Sequence, residues 1–285
     1  PPAPTMKTDI NRIQTQLDEA VDMLLLKLEH VTTPNKKEIR TELRAISVAD
    51  LVRLCDFIRE KCTKYQWLSS LTKEVITKAE DLNLYDLVYN LVGPVTAPLG
   101  HEVADTSLTL GSDGETPDGA GVAKEINHDG RRRFRYVRGV PKGPQAGQYD
   151  PFVRTFCGSF AELLWNDERK ADFFVSHWWG EPVVDFITCI TAHDDVHKLD
   201  RTSLYWVCAY ANNQTLIHKE LGDGGPLESP FFRALQLASG AVLIFDVGSV
   251  VTSRMWCGFE NVVIADQGKP MAIATATKGC GKILT

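Results

Sequence analysis

The sequence predicts an α/β protein in which a helical bundle precedes a parallel β-sheet. Residues 6 to about 92 carry apolar side chains at steps of three and four, which is typical of amphipathic helices. From residue 150 onward, short apolar runs alternate with amphipathic stretches, the pattern of strands joined by crossover helices. With 285 residues, 44% of them hydrophobic and 24% charged, the chain can form a core of ordinary size.

The N-terminal unit, residues 1–100, is predicted to be a small bundle. The first of its four helices has a continuous apolar stripe, and Ser47 followed by Asp50 offers an N-cap for the third. The four helices are predicted over residues 10–28, 36–45, 51–58 and 67–92.

The middle unit, residues 101–150, differs from the N-terminal unit in its amino-acid composition. Residues 111–121 are rich in glycine and acidic side chains and cannot bury enough surface to order themselves. Residues 131–138 then interleave arginines with aromatic side chains, from Arg131 to Arg138. This cluster fits either a phosphate or nucleic-acid patch or a solvated edge strand whose charges prevent edge pairing. The net charge of −6 disfavours nucleic acid as a partner.

The C-terminal unit, residues 151–285, is predicted to be a flavodoxin-like parallel sheet. Strands and helices alternate in it, so right-handed crossovers are expected. Strands are predicted over 172–176, 203–210, 241–245 and 271–274, and helices over 152–164, 182–197, 229–238 and 253–266.

Candidate site residues follow the first and third of these strands. Ligands of open α/β sheets bind beyond the carboxyl ends of the strands. Two adjacent tryptophans in a loop either pack or stack on a flat, cationic ligand such as a pyridinium. On the later helix, Trp256 and Glu260 are one turn apart, and Glu260 has apolar neighbours. The loop after the first strand consists of Ser176, His177, Trp178, Trp179, Gly180 and Glu181.

These motifs resemble the TIR (Toll/interleukin-1 receptor) domain family over roughly residues 170–275. The resemblance lies in a strand that ends in a Ser-centred loop, an apolar third strand at 242–245, and the helix motif Ser253-x-x-Trp256-Cys257-x-x-Glu260. The chain is most similar to the plant and NAD+-cleaving branches of the family. The sequences of residues 176–181 and 205–214 also resemble those of uncharacterised TIR-like proteins of algae and other protists.

The resemblance implies NAD+ glycohydrolase activity, with NAD+ as the substrate and no prosthetic group. Glu260 would be the catalytic carboxylate, which stabilises an oxocarbenium-like ribose. The loop over residues 212–230 would be a mobile flap over the site. The predicted NAD+-binding residues are Ser176, His177, Trp178, Trp179, Gly180, Ser253 and Trp256.

Two other functions stay open. His193 and His197 lie at i and i+4, a spacing that zinc-dependent hydrolases use. Alternatively, the protein is a non-enzymatic assembly module that binds itself or a protein partner through its N-terminal helices. Cys208 and Cys257 are most simply interpreted as small apolar residues of the core.

The sequence also predicts a cytoplasmic setting without membrane contact. The longest apolar runs have about five residues, far short of a bilayer span, and no signal-peptide pattern is visible. Seven cysteines, an odd number without a regular spacing, are typical of reduced thiols.

Overall fold

The computed structural model of the protein is mixed α/β and describes residues 39–96, 102–106, 124–128, 131–137, 158–165, 167–222, 224–277 and 280–284. The helix predicted over residues 10–28 lies outside the described residues. Among those described, no helix is both long and apolar enough to cross a bilayer.

The described strands form two sheets. They are β1 (Ile46–Ser47), β2 (Glu102–Thr106), β3 (Lys124–His128), β4 (Arg131–Val137), β5 (Phe173–Ser176), β6 (Leu204–Trp206), β7 (Gly240–Phe245), β8 (Met271–Thr277) and β9 (Cys280–Leu284).

The described α-helices range from one turn to four. They are α1 (Val48–Lys61), α2 (Leu84–Leu87), α3 (Gly93–Thr96), α4 (Phe160–Leu164), α5 (Val183–Val196), α6 (Cys208–Ala211), α7 (Ile217–Leu221), α8 (Pro230–Leu237) and α9 (Met255–Asp266).

The larger sheet has six strands in the order β1-β6-β5-β7-β8-β9. The four central strands, β6, β5, β7 and β8, are parallel, whereas β1 and β9 pair antiparallel at the two edges. Parallel strands need helices on both faces, and the apolar side chains of β5 and β7 are accordingly buried almost throughout. Helices α1 and α5 share a core with one face, and α8 and α9 share a core with the other.

The smaller sheet has the order β2-β4-β3 and contains the arginine cluster. Strand β4 pairs antiparallel with β2 on one side and with β3 on the other. The interpretation of residues 131–138 as an edge strand is therefore wrong, because β4 is the central strand of its sheet.

Two of the predicted helix starts are confirmed. The Ser47 side chain accepts a hydrogen bond from the backbone N–H of Asp50, at the N-terminus of α1. The Ser229 side chain does the same for Phe232, with Pro230 in the first turn of α8.

The helix predicted over residues 67–92 is wrong for its first half. Residues 66–78 form an irregular loop in which Leu68 bridges Val75, and Gln66 and Lys73 have φ values of 50° and 62°. These left-handed residues break any helix. Of the apolar side chains that suggested the helix, Ile76 and Ala79 are buried, whereas Leu71 and Val75 are exposed. The later part does become helical, in α2 and in the π-helical segment Val88–Val92.

Two shorter predictions also need correction. The helix predicted over residues 36–45 is, in its described part, only the 3₁₀ turn Thr41–Leu43. The strand predicted over residues 203–210 ends at Trp206, because Cys208–Ala211 turns into helix α6. The second error arises because residues 205–211 form an uninterrupted apolar, buried run, which periodicity alone cannot assign to a strand or to a helix.

The described N-terminal residues pack directly on the C-terminal part. Strand β1 extends the large sheet, and Leu51 and Phe57 of α1 belong to the same apolar cluster as Val175 and Phe186. The N-terminal bundle and the unit boundaries at residues 100 and 150 stay predictions.

Candidate functional site

The polar centre of the candidate site is a hydrogen bond between Ser176 and Glu260. Ser176 is the last residue of β5, and Glu260 lies on α9, the helix that follows the neighbouring strand β7. The Ser176 hydroxyl donates to Glu260 Oε2 over 2.5 Å. Both side chains are buried, with 1% and 5% of their surfaces exposed. The structure thus brings together the two residues that the sequence placed at this edge from different motifs.

Burial determines the charge of Glu260. Removal from water raises the pKa of its carboxyl to about 8, and the hydrogen bond from Ser176 opposes that rise. The carboxyl therefore holds its proton at pH 7 in this conformation. A carboxyl that exchanges its proton near neutral pH is suited to acid–base or charge-stabilising chemistry.

Cys257 ties α9 to the loop after β5. Its thiol donates to the backbone carbonyl of His177, with 3.5 Å between sulfur and oxygen. Burial, and then the neighbouring Glu260, raise the pKa of this thiol to about 11. Cys257 is therefore a protonated structural contact rather than a nucleophile.

The loop after β5 is a tight turn packed on its own tryptophan. The backbone N–H of Glu181 donates to the carbonyl of Trp178 over 3.3 Å. A Cβ at Gly180 would lie 2.2 Å from the Trp178 ring, so any larger residue there would displace the indole. The close packing of the Trp178 ring therefore explains why position 180 is a glycine, without any contact to a ligand.

Both loop tryptophans are half-buried against protein. Trp178 packs against Leu243 and Val251. The Trp179 indole N–H donates to Cys208 Sγ over 3.0 Å, and its ring lies 5.4 Å from that of Tyr85.

Trp256 and Ser253 have contacts away from the Ser176–Glu260 pair. The Trp256 ring stacks on Phe231 at 5.5 Å and is 40% exposed. The exposed Ser253 hydroxyl donates to the backbone carbonyl of Val250. Although Trp256 and Glu260 are one helical turn apart, only Glu260 points into the core.

The described part of the predicted flap is fastened to the N-terminal segment. Glu220 of α7 accepts hydrogen bonds from Arg44 over 2.8 Å and from the Thr41 hydroxyl. Arg44 itself is 5% exposed, and it also pairs with Glu162. Any opening of this loop must break a largely buried ion pair.

The histidine pair of the metal hypothesis is not assembled as a metal site. His193 is buried, its Nδ1 lies 2.8 Å from the Tyr205 hydroxyl, and burial lowers its pKa to about 4. His197 is exposed. Within the described residues, no group of three or more His, Cys, Asp or Glu side chains is placed to hold a metal ion.

Sequence reasoning missed a second polar cluster beside Ser176. His177 Nε2 lies 3.7 Å from Cys208 Sγ, and His177 Nδ1 lies 3.5 Å from Glu181 Oε1. The spacing of His177 and Glu181 by four residues was visible in the sequence. Their approach to Cys208 was not, because it depends on the short helix α6 that replaced a predicted strand.

Comparisons with protein-family models, with curated proteins and with solved structures found no match to this chain.

Proposed function

We propose that the protein is a TIR-like NAD+ glycohydrolase that splits NAD+ into nicotinamide and ADP-ribose or a cyclic form. The observation that carries the proposal is the buried Ser176–Glu260 hydrogen bond at the carboxyl edge of a parallel sheet. It joins the Ser-centred loop and the helix-borne glutamate on which the resemblance to NAD+-cleaving TIR domains depends.

The strand order supports a flavodoxin-like, TIR-like fold. With β5, β6, β7 and β8 counted as first to fourth, the parallel strands lie in the order 2-1-3-4. This is the order of the flavodoxin-like doubly wound sheet, whose ligands bind at the switch point between the first and third strands. Ser176 ends the first of these strands, and Glu260 lies on the helix after the third.

The chemistry assigns a distinct task to each residue. Breaking the nicotinamide–ribose bond builds positive charge on the ribose, and an ionised Glu260 would stabilise that charge. The Ser176 hydroxyl would hold the carboxylate in place through its hydrogen bond. Nicotinamide in NAD+ is itself cationic, so substrate binding would lower the pKa of Glu260 and favour the ionised form.

Access to Glu260 requires a local opening. Only 5% of its surface is exposed, and the loop of Trp178 and Gly180 packs against α9 through Cys257. We place the NAD+ contacts of Ser176, His177, Trp178, Trp179 and Gly180 in the conformation in which this loop has moved. Trp256 and Ser253 would border the same cleft from the start of α9.

A non-enzymatic assembly module is the second candidate, and one observation favours it. The outward side of α9 exposes apolar side chains, with Met255 83% and Val262 60% exposed. No charged residue precedes Asp266 on this helix except the buried Glu260. Exposed apolar surface of this kind is typical of protein interfaces.

Nicotinamide release from millimolar NAD+ over several hours tests the proposal. Wild-type protein is compared with Glu260→Ala at several protein concentrations. Release that disappears in the variant, and that rises more than linearly with protein concentration, would support an assembly-activated NAD+ hydrolase. Absence of release from wild-type protein at every concentration would shift the assignment to the assembly module.

A further inference from the structure

The cluster beside Ser176 has the connectivity of a nucleophile, a base and an orienting carboxyl. Cys208 Sγ faces one ring nitrogen of His177 at 3.7 Å, and Glu181 Oε1 faces the other at 3.5 Å. Thiol nucleophiles are activated by such an arrangement, and its distances are often looser without a ligand. The imidazole is buried at 6% exposure and the carboxyl at 3%, so water does not replace these contacts.

The two atoms that face each other between His177 and Glu181 have no hydrogen-bond partner. His177 Nδ1 and Glu181 Oε1 are buried, and neither makes a hydrogen bond. An unsatisfied buried pair is costly in a folded protein. Burial, and then the neighbouring Asp246 and Asp185, raise the pKa of Glu181 well above its usual value. A proton transferred to His177 would relieve the cost, because an imidazolium donates from both ring nitrogens and would hold Glu181 in its carboxylate form.

Further contacts distinguish Cys208 from the other described cysteines. The Trp179 indole N–H donates to its sulfur over 3.0 Å and would stabilise a thiolate. Burial raises the pKa values of the Cys55, Cys62 and Cys189 thiols, which keeps them protonated. Cys280 is exposed.

We propose that Cys208 is a reactive thiol that small hydroperoxides oxidise to a sulfenic acid, with His177 as its base and Glu181 as the group that holds the base. Only 9% of Cys208 is exposed, and the Trp179 indole lies against its sulfur, which favours a small electrophile over a bulky one. The proposal goes beyond the NAD+ chemistry and does not depend on it.

The oxidation transfers two electrons from the Cys208 sulfur to the hydroperoxide. The Cys208 proton moves to His177 Nε2, and a sulfur lone pair attacks the nearer peroxide oxygen. The S–O bond forms while the O–O bond breaks, and the departing hydroxide takes the proton from His177. The sulfur is oxidised by two electrons, and the peroxide is reduced to water or, for an organic hydroperoxide, to an alcohol.

The test follows each cysteine separately in the folded chain without NAD+. Protein is treated with limiting hydrogen peroxide and a sulfenic-acid trap such as dimedone, and each cysteine peptide is quantified by mass spectrometry. We expect Cys208 to be trapped at least 10 times faster than Cys280. Glu181→Gln should slow Cys208 about 10-fold and leave Cys280 unchanged. The matched change Glu74→Gln, at an exposed position on a different loop, should alter the Cys208 rate less than twofold.

Two results would overturn the proposal. One is a wild-type Cys208 rate no higher than that of Cys280, which needs no variant. The other is a Cys208 rate that Glu181→Gln leaves unchanged. Trapping of the buried Cys55 and Cys62 in the variant would reveal unfolding, and the wild-type ratio of Cys208 to Cys280 then decides alone.

Discussion

Two buried histidines of this protein have opposite surroundings. His193 is 1% exposed and His177 is 6% exposed. His193 Nδ1 lies 2.8 Å from the Tyr205 hydroxyl, whereas His177 Nδ1 makes no hydrogen bond. His193 lies in the last turn of α5, whereas His177 immediately follows β5.

The difference shows that burial alone does not identify a site. At the end of α5 the buried His193 imidazole has a hydrogen-bond partner in Tyr205, which is what a structural role requires. At the carboxyl edge of β5 the fold holds an imidazole whose Nδ1 makes no hydrogen bond, and two buried carboxyls, Glu181 and Glu260. Unsatisfied or proton-holding groups at this edge are where a ligand or a reaction is expected.

The pH dependence of stability offers the largest contrast between the two regions. The pKa of Glu260 is raised to about 8, so the folded state holds a proton that the unfolded chain releases above its ordinary value of 4.5. The stabilising effect is complete below pH 4.5 and is lost as the pH rises through 8. The free energy of unfolding should therefore fall by about 3 kcal/mol between pH 5 and pH 8 in wild type relative to Glu260→Gln.

Urea denaturation of both proteins across that pH range measures the effect. Glutamine keeps the size of the side chain and can still accept the hydrogen bond from Ser176, so it is the matched control. Parallel pH profiles for the two proteins would contradict the burial of an ionisable Glu260.

His193 should respond to pH in the opposite direction. Its pKa is lowered from 6.5 to about 4, mainly by burial and then by His197. Its contribution is present above pH 6.5 and is lost as the pH falls through 4, because the unfolded chain binds the proton first. Wild type should lose about 2 kcal/mol relative to His193→Gln between pH 7 and pH 4.5. Urea midpoints of the two proteins at both pH values provide the check, and a constant difference would count against it.

The sequence was sufficient for much of the architecture. Short apolar runs located β5, β7 and β8, and Ser47 and Ser229 marked helix starts that the structure confirms. The first half of the predicted helix over 67–92 failed because the spacing of apolar residues alone does not distinguish a helix from an irregular loop. Gln66, immediately before that segment, and Lys73, within it, have left-handed backbone, and neither residue type signals such a conformation.

The candidate site was predicted in part, for a physical reason. Ser176 and Glu260 were placed at one sheet edge because parallel strands bring their carboxyl ends together. The contact of His177 with Cys208 depends on where β6 stops and α6 begins, and the apolar run over residues 205–211 does not mark that point. Side-chain burial at Trp256 depends on its stacking on Phe231, which lies on a different helix.

A smaller effect is expected from Ser176→Ala. Removal of the hydroxyl leaves the Glu260 carboxyl without its hydrogen bond, at a cost of about 1 kcal/mol in unfolding free energy. Because that hydrogen bond opposes the effect of burial, its loss should raise the pKa of Glu260 further. The pH profile of urea stability should therefore keep falling above pH 8 in Ser176→Ala, and a profile identical to that of wild type would argue against the contact.

The most direct test of the account measures NAD+ binding and cleavage on the same preparations of wild type and Glu260→Gln. The account predicts nicotinamide release by wild type and at least a 100-fold loss of release in the variant, the size typical for removal of a charge-stabilising group. NAD+ affinity, measured by calorimetry, should change only a few-fold. Equal release by both proteins, or wild-type protein that neither binds nor cleaves NAD+, would contradict the central claim that the Ser176–Glu260 pair is a catalytic site.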